Sequence, residues 1–89
     1  MTNNLIRAVE DNDIEKVKQC INNGADVNAR NKYGEKTALM YAAKQGYSDI
    51  VKYLLEKKAD VNAKTKLGET ALIHAAIGGY IEIVKLLVE

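Results

Sequence analysis

Chemistry needs reactive side chains held close together, and this 89-residue chain has few of them: one cysteine, Cys20, and one histidine, His74. A thiolate paired with an imidazole could act as a nucleophile, and a set of thiols, imidazoles and carboxylates could hold zinc, but both uses need several such groups at short spacing. Cys20 and His74 lie far apart in the sequence with no second thiol or imidazole to accompany either. Cys20 falls on an apolar helical stripe, where cysteine behaves as a small hydrophobe, and His74 reads as a packing or hydrogen-bonded residue. The carboxylates Asp11, Asp13 and Glu15 cluster at a helix start, where they favour the helix dipole without any reaction. No phosphate loop, dinucleotide fingerprint or hydrolase elbow is present. The expectation is a chain without catalysis, cofactor or metal.

The elements that carry these residues are set by an internal repeat. Ala25-Asp26-Val27-Asn28-Ala29 recurs 34 residues later as Ala59-Asp60-Val61-Asn62-Ala63, each followed by a basic residue, Arg30 or Lys64. Thr37-Ala38-Leu39 recurs as Thr70-Ala71-Leu72, Ala42-Ala43 as Ala75-Ala76, Gly46-Tyr47 as Gly79-Tyr80 and Ile50-Val51-Lys52 as Ile83-Val84-Lys85, now 33 residues later. The difference falls in a turn and is assigned to an extra residue, Lys36. The N-terminal part joins more faintly, with Ala8 answering Ala42, Val17-Lys18 answering Val51-Lys52, and Cys20-Ile21 answering Leu54-Leu55. Each period reads as two short helices and a turn. Thr37 and Thr70 are N-cap residues ahead of Ala-rich runs over 38–45 and 71–77, stopped by Gly46 and Gly79. Second helices over 49–56, 14–21 and 81–88 each place aliphatic residues on one face. The polar stretches 26–34 and 60–68 suit projecting turns or hairpins. Helices this short are marginal alone, so stability must come from stacking repeat on repeat into a solenoid.

Composition bounds the function. With 47% hydrophobic and 28% charged residues the chain can pack a core, built from Leu, Ile, Val and Ala because Trp and Phe are absent. A formal charge of +1 lacks the basicity of non-specific nucleic-acid binding. No stretch approaches a membrane span, and the polar start is unlike a signal peptide. A lone cysteine forms no intramolecular disulfide, so the cytoplasm is the default location.

These residues resemble the ankyrin repeat, whose glycine, Thr-Pro-Leu-His, paired alanines, Ile-Val, Leu-Leu and Gly-Ala-Asp-Val-Asn-Ala are matched along nearly the whole chain. Both copies of the tetrapeptide depart from it, as Thr37-Ala38-Leu39-Met40 and Thr70-Ala71-Leu72-Ile73, which removes the family's His-to-Thr hydrogen bonding at the turn. Asn12 stands where later copies have Gly46 and Gly79. The resemblance implies an all-α, ankyrin-like solenoid of nearly three helix-turn-helix repeats with connecting β-hairpin turns. The chain divides into a polar N-terminal capping repeat (1–30), a second repeat (31–64) and an incomplete third (65–89).

The resemblance also implies a scaffold or adaptor that binds a protein through hairpin tips and first-helix ends. Carried over position by position, that surface is Arg30, Lys32, Tyr33, Glu35, Lys44 and Gln45, followed by Lys64, Lys66, Leu67, Glu69, Ile77 and Gly78. Residues 31–66 hold eight Lys against four acids, while the segments before and after are net acidic. A basic ridge with apolar anchors therefore suits an acidic-surfaced protein partner. The sequence ends before a third Ala-Asp-Val-Asn-Ala, so the last helix is expected to leave Ile83, Val84, Leu87 and Val88 uncovered. That points to a fragment of a larger protein, or to a homodimer formed through this end.

Overall fold

A computed structural model describes residues 4–31 and 36–88, and in it six short helices follow one another along the chain: α1 (Asn4–Glu10), α2 (Ile14–Asn22), α3 (Ala38–Gln45), α4 (Ser48–Glu56), α5 (Ala71–Gly78) and α6 (Ile81–Val88). Local chemistry sets their ends. The Thr37 hydroxyl accepts from the Met40 N–H at 3.3 Å, the Thr70 hydroxyl from the Ile73 N–H at 3.3 Å, and the Asp13 carboxylate from the Lys16 N–H at 3.1 Å. Each bond satisfies a donor that the first helical turn leaves over, a contribution of about 1 kcal/mol per cap. Gly46 stops α3 in the left-handed region at φ 80°, and Asn12 takes the same role after α1 at φ 53°.

The helices pack in two layers. First helices α1, α3 and α5 lie side by side in one layer, second helices α2, α4 and α6 in the other, and each pair closes across the layers. Paired alanines make the first layer tight: Ala38, Ala42, Ala43 and Ala75 are fully buried, with Leu39 and Met40 between them. The second layer contributes Val17, Ile50, Val51, Leu54 and Ile83 from its inner stripe. A fully buried Leu or Ile is worth about 1.5–3 kcal/mol, so these stripes, and not helix propensity, hold the stack.

The linkers correct the expected β-hairpin turns. No strand occurs among the described residues, and a single isolated bridge pairs Arg30 with Thr37. Side chains close these segments on themselves instead. The Asp26 carboxylate accepts from the Asn28 N–H and the Asp60 carboxylate from the Asn62 N–H, both at 2.9 Å, which are Asx turns. Thr65 and Glu69 clamp a tight turn through Thr65 N–H to Glu69 C=O (2.9 Å) and Glu69 N–H to the Thr65 hydroxyl (3.2 Å). Donors satisfied locally leave no ladder to build. Among the described residues the fold is thus an all-α, six-helix solenoid whose helices form three stacked pairs.

Candidate functional site

Successive linkers are tied to each other, and this places the polar residues of different repeats on one surface. Arg30 Nη1 donates to the Lys64 carbonyl at 2.9 Å, and the Asp60 N–H donates to Asn28 Oδ1 at 2.7 Å. Residues one repeat apart thereby become neighbours, so Arg30, Lys64 and Lys66 share the linker edge, all exposed. Leu67 projects beside them with 84% of its surface open. Lys44 and Gln45 lie exposed in the last turn of α3, and Ile77 is exposed near the end of α5 with Gly78 after it. Lys32, Tyr33 and Glu35 lie outside the described residues.

Below this edge, where the first helices face the linkers, is a cluster that the sequence reading did not single out. Asn31 Nδ2 donates to the Tyr41 hydroxyl at 2.9 Å, and the Lys36 ammonium stands 5.7 Å from the centre of the Tyr41 ring. One repeat on, the position of Tyr41 is taken by His74, which is only 8% exposed. Its Nε2 is fully enclosed and makes no hydrogen bond. Glu69 Oε1 approaches it to 3.5 Å, at the outer limit of hydrogen bonding. Burial holds the His74 imidazole below its ordinary titration range; Glu69 acts against that shift, while Lys36 and Lys44 add to it. The imidazole is neutral near pH 7. The register itself was the signal for this cluster, since residues 41 and 74 must stack once the 33-residue period is accepted.

Cys20 occupies the position of Leu54 but is only half-buried against the core, whereas Leu54 is fully buried. The outer side of α2 is polar: Arg7, Asp11, Lys16 and Gln19 line a depression there with Cys20. Among the described residues no group of three or more His, Cys, Asp or Glu side chains could hold a metal ion. None of the described helices is long and apolar enough to cross a membrane.

The opposite end differs from expectation in its residues. Ile83 (1% exposed) and Leu87 (9%) turn inward onto α4 and α5, and Val84 is half-buried, so of the four aliphatics assigned to an uncovered end only Val88 is open. The open apolar face comes instead from Leu72, Ile73 and Ile77 on α5 and Ile81 on α6, with Tyr80 between the helices. A helical period explains the exchange: 83 and 87 lie on the stripe facing the neighbouring helices, and 81 and 88 on the stripe facing away.

Comparison with known proteins agrees with the architecture. The chain is 37% identical over 83 residues to serine/threonine-protein kinase 12 of Arabidopsis thaliana, 93% of this chain and 18% of that protein. It is 38% identical over 79 residues to the 2-5A-dependent ribonuclease of Homo sapiens, 89% of this chain and 11% of that protein. It is 43% identical over 56 residues to inversin of Danio rerio, 61% of this chain and 6% of that protein. The chain therefore spans less than a fifth of the length of each of these relatives. The family profile described as Ankyrin repeats (3 copies) matches residues 5–89. With that match lying on three stacked helix pairs, the chain belongs to the ankyrin repeat family and is a protein–protein interaction module built on its fold.

Proposed function

We propose that the module binds an acidic segment of a partner protein along the linker edge and the exposed ends of the first helices. One observation carries this reading: the linker ties through Arg30 and Asn28 gather Arg30, Lys64 and Lys66 on one edge, and Lys36 and Lys44 both act on the same buried imidazole just below it. Leu67 and Ile77 supply exposed apolar anchors beside the charges. Lys32, Tyr33 and Glu35 extend the candidate surface in the sequence. The protein serves as an adaptor without catalysis of its own, and a chain with one thiol suits a reducing compartment such as the cytoplasm.

The test is binding to a synthetic Glu-Ser repeat peptide, with a Gln-Ser peptide as control. Replacing Lys32, Lys44, Lys64 and Lys66 by Glu should leave the helical circular dichroism unchanged. The same change should weaken binding by at least about tenfold at low salt, mainly through a slower association rate. Unchanged affinity and salt response in the fourfold variant would reduce the edge to a solvated face.

A second reading is favoured by the open end. Leu72, Ile73, Ile77, Ile81 and Val88 present apolar surface on two adjacent helices, while the other end of the stack is polar. A head-to-tail contact would set Arg7 and Lys16 against aliphatics, so a second copy meets this face tail to tail about a two-fold axis. Sedimentation over a wide concentration range should show association that Ile77→Lys with Ile81→Lys removes. A wild-type chain monomeric throughout would sink this reading.

A further inference from the structure

We infer that the cluster around His74 is a carboxylate-binding subsite whose occupation is coupled to a proton: acidic groups of the partner neutralise Lys36 and Lys44, His74 takes up a proton from solvent, and its Nε2–H closes onto Glu69. The inference rests on the acidic-partner reading above and adds to it a regulation by pH and a specificity-determining residue.

Three features of the molecule lead to it. The first is an unmet bond. Nε2 of His74 is enclosed without a partner, yet the Glu69 carboxylate waits 3.5 Å away, so the contact is an ion pair one proton short. A neutral imidazole whose Nε2 is unprotonated offers this carboxylate only a lone pair; a protonated one offers it a charged donor. The second is the set of groups around the ring. The linker before α5 supplies Glu69, the preceding linker supplies Lys36 and α3 supplies Lys44; no charged group of α6, which also packs on α5, acts on it. Two cations and one anion act on the ring; Lys44 belongs to the surface that an acidic partner would cover, and Lys36 is half-exposed in the linker just before α3.

The third feature is contrast with the neighbouring repeat. At the equivalent position stands Tyr41, whose hydroxyl is already bonded to Asn31 at 2.9 Å. Tyrosine there completes its own hydrogen bonding, whereas histidine leaves Nε2 without a partner, and protonation guarantees a charged donor at that nitrogen whichever tautomer the neutral ring adopts. Desolvation keeps His74 neutral in the free protein, reinforced by the two lysines. A bound carboxylate on each lysine cancels that reinforcement and adds negative potential of its own. The bound state then holds the proton more tightly than the free state. By linkage the affinity rises as pH falls through the interval between the free and bound titration midpoints, the free one lying below 6.5.

Because His74 is the only histidine, its Cε1–H resonance reports the proton directly in one-dimensional NMR. The experiment titrates that resonance with and without the Glu-Ser peptide at fixed ionic strength, and measures the peptide's affinity at pH 7.5 and pH 5.5, where its carboxylates remain largely ionised. The expected result is a higher His74 midpoint in the complex and binding about three- to tenfold tighter at the lower pH, within the tenfold per pH unit that one proton allows. His74→Tyr, which installs the neighbouring repeat's own residue, should keep binding and lose the pH dependence. Glu69→Gln should move the His74 midpoint down in both states. If the peptide binds but the midpoint stays put and affinity is flat in pH, the proton coupling is overturned and the acidic-partner reading stands. Absence of binding at both pH values overturns both. Should His74→Tyr fail to fold, the wild-type NMR midpoints alone decide.

Discussion

The second and third repeats carry nearly the same residues on the same helices and meet different surroundings. Leu39, Met40 and Ala43 are at most 1% exposed, while their equivalents Leu72 and Ile73 are 36% and 40% exposed and Ala76 is open too. What buries the first set is α5, laid across α3 by the next repeat. On the second layer the difference shrinks: Ile50 and Ile83 are both 1% exposed, because each faces back toward the repeat before it. A repeat therefore buries one face against the repeat before it and the other only through its successor. The same holds for ion pairs, since Lys52 reaches Glu82 of the following repeat at 3.7 Å, an exposed contact worth little by itself.

The largest test of that contrast is truncation at equivalent positions. Leu39→Ala should cost about 2–5 kcal/mol, a large share of the roughly 4–13 kcal/mol expected for a chain of this length, whereas Leu72→Ala should cost less than about 1 kcal/mol. Urea unfolding followed by circular dichroism measures both, and equal losses would mean that the end of the stack is covered in solution.

A somewhat smaller effect separates two glycines that touch one ring. Tyr80 lies against both Gly46 and Gly78: a methyl group at Gly46 would come within 2.7 Å of the ring, and one at Gly78 within 2.5 Å. Gly46 also sits at φ 80°, so Gly46→Ala meets backbone strain as well as the ring and should cost about 1–3 kcal/mol. Gly78 is helical, and Tyr80 is partly exposed and can swing aside, so Gly78→Ala should cost less or even stabilise through helix propensity. A larger loss at Gly78 than at Gly46 would show the Tyr80 ring to be fixed as the wedge between the repeats.

The next prediction compares the ends of α2 and α4. Gly24 and Lys58 both adopt positive φ, 98° and 70°, but only glycine does so without strain. Lys58→Gly should therefore raise the thermal midpoint, by about 0.5–1 kcal/mol in stability, and a fall would contradict that backbone conformation.

The smallest effect distinguishes Tyr41 from His74. The folded His74 binds its proton less readily than in the unfolded chain, so stability is full above pH 6.5 and falls as pH drops below it toward the lowered folded midpoint. His74→Tyr should flatten the stability profile between pH 7.5 and 5.5. A variant as acid-sensitive as the wild type would assign that loss to other groups.

Much of this was legible in the residues. Thr37, Thr70, Gly46 and Gly79 carry their own helix boundaries because caps and left-handed stops are local chemistry, decided within three or four residues. The period was legible because recurrence is a property of the string. What the string could not decide is which copy of a repeated residue finds a neighbour: Leu39 and Leu72 read alike, as do Ala43 and Ala76. Linker conformation was equally out of reach, since Asp26 and Asp60 could sit in a hairpin or close Asx turns on themselves, and the observed packing selects the latter. The electrostatic setting of His74 belongs to the same class, because the charges that act on it, Glu69, Lys36 and Lys44, arrive from three separate segments. Sequence by itself determined the helices, their caps and the repeat, all short-range effects. Only the tertiary structure decided burial, the open face and the electrostatics around His74, because those are sums over neighbours that the chain brings together from a repeat away.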